Sequence, residues 1–139
     1  MKKPAFALLA GAMLLAAALC RLALAADVAQ VYQSALPSMS DKEFTVITVS
    51  YGRGEQSRPH RHGQAFVFAY VLEGSVRSQV DGEPERVYKQ GESWSESPGA
   101  HHIVSGNASN TQPAKFLVVL VADPKSTLSA NDPSVFRAR

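Results

Sequence analysis

Beyond residue 42 the sequence predicts an all-β, antiparallel double-sheet fold, a sandwich or barrel. Three observations predict it. Short runs rich in β-branched and aromatic residues recur at regular spacing, Gly, Pro and Asp-Gly punctuate them, and no stretch long enough for a helix carries a helical apolar period.

The elements follow in order. "EFTVITVSY", Glu43 to Tyr51, is a strand by its β-branched and aromatic content. "GRGEQSRP" after it is a Gly/Pro-punctuated loop. "AFVFAYVLEG", Ala65 to Gly74, is a second and strongly apolar strand. "SVRSQVDG" alternates Val76 and Val80 with polar residues and ends in Asp81-Gly82, a hairpin signal that makes "RVYKQG", Arg86 to Gly91, its partner. "ESWSESPGAHHIVSGNAS" contains a turn at Pro98-Gly99 that feeds a short strand, and "KFLVVLVAD", Lys115 to Asp123, is the most apolar strand. Residues 26–42 are mixed in character and are expected to form an irregular or helical lead-in. Residues 124–139, polar with two prolines, are expected to form a loose tail in which Phe136 could pack. The single domain therefore spans 43–123.

The first 25 residues have the form of a secretory signal peptide: Lys2 and Lys3, an apolar run from Ala5 to Cys20, and Ala23-Leu24-Ala25 as a small-residue cleavage site. The run is short for a membrane span, so cleavage after Ala25 and a periplasmic or secreted mature chain are expected. Lipid attachment at Cys20 is a minor alternative, disfavoured by the bulk of Leu19 before it. Cleavage removes 3 of the 14 basic residues and none of the 12 acidic ones, leaving 11 against 12. No basic patch remains to argue for nucleic acid or an anionic membrane as partner. The one cysteine leaves with the signal, so the mature chain has neither thiol nor disulfide and is stabilised by burial alone.

All four histidines lie in two pairs, His60/His62 and His101/His102. Residues two apart on a strand point to one face, so His60 and His62 aim both imidazoles the same way, an arrangement suited to chelating one divalent ion. Alone, H-x-H also describes two solvated histidines at a strand entrance. The second pair follows about 40 residues on, across a predicted hairpin, where a third ligand from another strand can converge on the first two. Adjacent His101 and His102 face opposite ways, so one of them reaches the interior.

These residues resemble the cupins, small β-barrels of double-sheet, jelly-roll type. The first cupin motif is glycine, five residues, H-x-H, three or four residues, glutamate, six residues, glycine. Gly54, His60, His62 and Gly74 stand at its positions. The second is glycine, five residues, P-x-G, two residues, histidine and then asparagine. Gly91, Gly99 and His102 match it, Ser97 replaces the proline with Pro98 beside it, and Asn107 falls one residue late. The four motif glycines are expected at turns, as scaffold. The resemblance covers about Glu43 to Asp123 and implies His102 rather than His101 as third ligand. It also exposes a departure, because the glutamate position is Val67, which cannot ligate.

Three readings follow. The first is a three-histidine site, His60, His62 and His102, holding one divalent metal (Fe, Mn, Zn, Ni or Cu), with substrate or water in the open positions. The second adds the Gln64 carbonyl, which shares the histidine face if the strand runs straight past Gly63. The third holds no metal and uses the histidines as acid/base or ligand-binding groups. Neutral imidazoles leave the ion its full charge, favour an anionic or chelating small molecule, and bind less well below about pH 6.5. Glu96, before the Pro98-Gly99 turn, is expected as an exposed carboxylate, with general acid/base or metal-supporting work at the barrel mouth as the alternative. Trp94, Tyr70, Tyr88, Phe66 and Phe68 are expected in the core. The resemblance implies a dioxygenase-like or isomerase-like enzyme acting on a small molecule. The alternative is a non-catalytic module that binds or senses a metal or small ligand. Pairing of two barrels through edge strands as a homodimer is also expected, since a short apolar chain gains burial by it.

Overall fold

The computed structural model describes residues 26–131; the expected signal segment and Phe136 lie outside them. Ten strands are present among the described residues: β1 (Asp27–Leu36), β2 (Met39–Tyr51), β3 (His60–Arg61), β4 (Phe66–Glu73), β5 (Ser75–Val80), β6 (Arg86–Lys89), β7 (Ser93–Glu96), β8 (His101–Asn107), β9 (Ala114–Ala122) and β10 (Ala130–Asn131). They form two five-stranded antiparallel sheets, β1-β2-β9-β4-β7 and β10-β3-β8-β5-β6. This is an all-β double-sheet barrel, as the spacing of strands and turns predicts.

Strand parity decides what lies inside. On β4 the small and branched Val67, Ala69 and Val71 are buried, while Phe66, Phe68, Tyr70 and Leu72 point outward. Register carries that alternation across the first sheet, so Thr45, Leu120, Val67 and Glu96 form one inward row on β2, β9, β4 and β7. Ile47, Val118, Ala69 and Trp94 form the next, and Val49, Phe116 and Val71 a third. These rows supply most of the buried apolar core.

The expectation that Phe66, Phe68 and Tyr70 are core residues is therefore corrected. They occupy the outward phase of β4, beside Val121, Val119 and Leu117 of β9 and, beyond those, Phe44, Val46 and Thr48 of β2. Trp94 is buried as expected, and Tyr88 is half-buried against its ring.

Two further expectations change. The lead-in 26–42 is neither irregular nor helical: β1 pairs along its length with β2, with bulges between Gln30 and Tyr32 and between Ala35 and Leu36. It is an edge strand with most side chains in solvent, so it lacks the apolar alternation that marks a half-buried strand. The segment after Asp123 is not loose throughout, because Ala130 and Asn131 pair with Arg61 and His60 of β3.

Gly74, between β4 and β5, illustrates why the barrel needs glycine at a strand junction. Its φ is +69°, and a Cβ there would lie 2.3 Å from the Pro113 carbonyl oxygen. Asn107 is likewise scaffold: its amide donates to the Gly52 and Gln112 carbonyls at 2.8 and 2.7 Å, while its Oδ1 accepts from the Ser109 amide.

Candidate metal centre

Backbone pairing brings the two histidine pairs together. His60 on β3 is the register partner of His102 on β8, and directly opposed residues of an antiparallel pair share a face. His62 follows two residues after His60 and turns to the same side. The ring centroids of His60 lie 4.8 Å from those of His62 and 5.0 Å from those of His102. One nitrogen from each of the three falls within 4.8 Å of the others. His101, out of phase, pairs in register with Arg61 and stays outside this group.

Each ring is fixed by a bond at its other nitrogen. A carbonyl can only accept, so Nδ1–H of His60 donates to the Arg58 carbonyl and Nδ1–H of His62 to the Leu128 carbonyl, both at 2.7 Å. Nε2 of both rings is thereby left with its lone pair. On His102 the arrangement is reversed: Nε2 is hydrogen-bonded to the Ser78 hydroxyl at 2.9 Å, and buried Nδ1 has no hydrogen bond.

The carboxylate of Glu96 lies beside the three histidines. It is buried, with Oε1 3.1 Å from His102 Nδ1 and Oε2 3.8 Å from His62 Nε2. Trp94 Nε1 donates to Oε1 at 3.2 Å, whereas Oε2 has no hydrogen-bond partner. Burial, reinforced by the neighbouring imidazoles, pushes His102 down to about 3. Burial likewise lowers His60 and His62, and it raises Glu96 against the opposing pull of the Trp94 hydrogen bond and His60. Near neutral pH the imidazoles are therefore uncharged, the state a metal ligand requires.

These groups open onto a cavity of about 300 Å³, at the small end of ligand sites. Its far wall is apolar, from Ile47, Val49, Phe116, Val118 and Leu120. Tyr51 adds a buried hydroxyl, hydrogen-bonded to Ser57 at 2.7 Å and Ser105 at 2.8 Å.

The residues fit a divalent ion. Three neutral imidazoles with fixed rings lie with one nitrogen each within 4.8 Å of the others, and Glu96 Oε2, together with His102 Nδ1 in the tautomer whose Nε2–H donates to Ser78, leaves a buried lone pair beside them.

Residues 47–120 match the family model described as "Cupin domain", slightly more than half of the chain. The chain belongs to the cupin family. Solved structures agree on the fold of this cupin. A Klebsiella pneumoniae protein with a double-stranded β-helix domain is 18% identical over 76% of this chain and 83% of its own, with a TM-score of 0.59. A Thermus thermophilus protein is 27% identical over 72% and 86%, also at 0.59. A Thermotoga maritima protein described as a predicted oxalate decarboxylase is 20% identical over 70% and 80%, at 0.57. No curated protein sequence matches this cupin.

Two sequence expectations about the site are corrected by the geometry. Gln64 does not join the histidines: β3 ends at Arg61, and Gly63 takes a left-handed turn with φ +58° that breaks the 60-62-64 parity. The Gln64 side chain is exposed and lies over the Gly99 turn. Glu96 is not an exposed turn carboxylate but one of the most buried charged side chains described, at 3% exposure. A signal for this was present in "SWSE", since Trp94 and Glu96 share a strand phase and an inward Trp94 carries Glu96 in with it.

Proposed function

We propose that this cupin binds one divalent metal through His60, His62 and His102 and uses it to transform a small molecule, in a dioxygenase-like or isomerase-like reaction. The observation that carries this reading is the convergence of three oriented imidazoles at the head of a small apolar cavity. When bound, the ion would supply Lewis-acid polarisation of a coordinating oxygen and a lowered pKa for bound water. The chain's own part is to orient. The Arg58 and Leu128 carbonyls and the Ser78 hydroxyl hold the rings, and the apolar wall seats the body of the substrate and excludes water. A substrate that suits both ends has an anionic or chelating head and a compact apolar body. Carboxylate chemistry of the kind named for the Thermotoga maritima neighbour is compatible with that head group.

Export to the periplasm or beyond is part of the proposal and rests on residues 1–25. Elemental analysis of protein purified from its own cell envelope, alongside His102→Ala, tests occupancy, and an N-terminus at Ala26 tests processing. Stoichiometric metal in the parent and none in the variant is expected; equal metal in both sinks the reading. Turnover abolished by His60→Ala in a barrel that still folds marks an enzyme. A ligand that raises the melting temperature without turnover marks the non-catalytic module instead.

A further inference from the structure

Val67 stands where the cupin motif places its glutamate, and its register partner across β4 and β7 is Glu96. Both lie on one inward row, and opposed residues on adjacent antiparallel strands have Cβ atoms about 5 Å apart. A glutamate side chain spans that offset. The carboxylate missing from β4 is therefore present at the same depth of the barrel, one strand to the side.

We propose that Glu96 is the fourth metal ligand of this site, a carboxylate supplied from β7 in place of the one absent at Val67. The inference rests on the metal-binding reading above. Distances support it. Two ligands each about 2.1 Å from one ion lie about 3.0 Å apart at a right angle and about 3.4 Å apart at the tetrahedral angle. Glu96 Oε1 lies 3.1 Å from His102 Nδ1, between those values, and Oε2 lies 3.8 Å from His62 Nε2, about 0.4 Å beyond the larger one, a gap that a small rotation of the carboxylate closes. Bonding supports it as well. A buried carboxylate usually accepts several hydrogen bonds, yet among the described residues Glu96 has a single donor, Trp94 Nε1, and nothing on Oε2. A cation between Glu96, His62 and His102 would satisfy Oε2 and the open nitrogen of His102 together. Trp94 then acts as a positioning residue that holds Oε1.

Zn²⁺ and Co²⁺, each added alone to the purified metal-free protein, test this against Glu96→Gln and against the double variant Val67→Glu/Glu96→Gln. Outer-shell changes commonly cost about 10–100-fold in metal affinity, so loss of a direct ligand should cost Glu96→Gln about 100-fold or more. The visible Co²⁺ spectrum should change with it, while the melting temperature of the metal-free variant stays at or above the parent's. The double variant, with the carboxylate returned to β4, should recover much of the affinity. Equal affinity and identical Co²⁺ spectra in parent and Glu96→Gln overturn the fourth ligand and leave the three-histidine site standing. A folded double variant as weak as the single one also overturns it. Absence of binding by the parent overturns the metal-binding reading itself.

Discussion

The Nδ1–H of His62 donates to the carbonyl of Leu128, 66 residues later in the chain. His62, a proposed metal ligand just beyond a two-residue strand, is thus oriented by the segment that follows the last long strand. The same segment adds Ala130 and Asn131 to the edge of β3 and packs Leu128 against the core. Ending the chain after Thr127 should leave the two sheets formed but release the His62 ring. The expected loss of metal affinity is about 10–100-fold, with a small fall in melting temperature. Zn²⁺ titration beside far-ultraviolet circular dichroism measures both, and unchanged affinity would show that His62 needs no such brace.

The adjacent histidines of β8 give a matched pair of substitutions. His102 faces His60 across the ladder, and His101 faces Arg61. His102→Ala should abolish stoichiometric metal binding, whereas His101→Ala should change the affinity by less than about threefold, as expected of a residue outside the coordinating cluster. Metal content after dialysis reads the difference. Loss of metal in the His101 variant would assign the wrong member of the pair to the interior.

Protons should compete with folding in the metal-free protein. Burial, with like-charge neighbours for His102, holds the folded-state values of His60, His62 and His102 below their ordinary 6.5, and His102 at about 3. Below 6.5 the unfolded chain takes up protons that the folded chain refuses. The stability owed to these groups is therefore complete above that value and is lost as pH falls toward 3. Glu96 acts in the opposite sense: its folded value is raised above 4.5 by burial, so its contribution is complete below 4.5 and is lost as pH rises through the raised value. Three groups outweigh one, and chelator-treated protein should melt at lower temperature at pH 4 than at pH 7, by roughly several degrees. A flat melting profile across that range contradicts the burial assigned to the rings.

Outside the barrel, the first sheet carries a second apolar surface. Phe66, Phe68, Tyr70 and Leu72 project from β4, each 37–43% exposed, next to Val121, Val119 and Leu117 of β9. A second copy packed face to face would cover this row under a two-fold axis. The expected result in light scattering is a mass near twice that of the chain. Phe68→Glu should return a folded monomer, because a two-fold axis sets the two new charges close together. A parent that is monomeric at micromolar concentration removes the homodimer from the account.

What could be read from the chain itself follows from how local each feature is. The H-x-H pair, the turn glycines and the apolar strands β4 and β9 depend on neighbours two to ten residues away, and motif spacing selected His102 over His101. β1 was hidden because an edge strand with exposed side chains has no apolar alternation to reveal it. Gln64 depends on the strand running straight past Gly63, and the left-handed turn at that glycine decides against it. Phe66 and Phe68 are expected in the core as aromatics, but β4 buries its smaller members, which line the cavity wall at Val67 and Ala69. The burial of Glu96 is the hardest of these features to read locally. Its neighbour Val67 lies 29 positions earlier, and only the pairing of β4 with β7 sets the two side by side.

The row that runs Thr45, Leu120, Val67, Glu96 has a wider consequence for how such pockets diverge. Chemistry at a given height in a barrel can migrate sideways, from one stave to the next, without altering the shape of the vessel. A sequence pattern that insists on an acid a fixed number of letters after the paired imidazoles will discard such proteins as defective. Tabulating lateral neighbours, instead of intervals along the chain, would recover them.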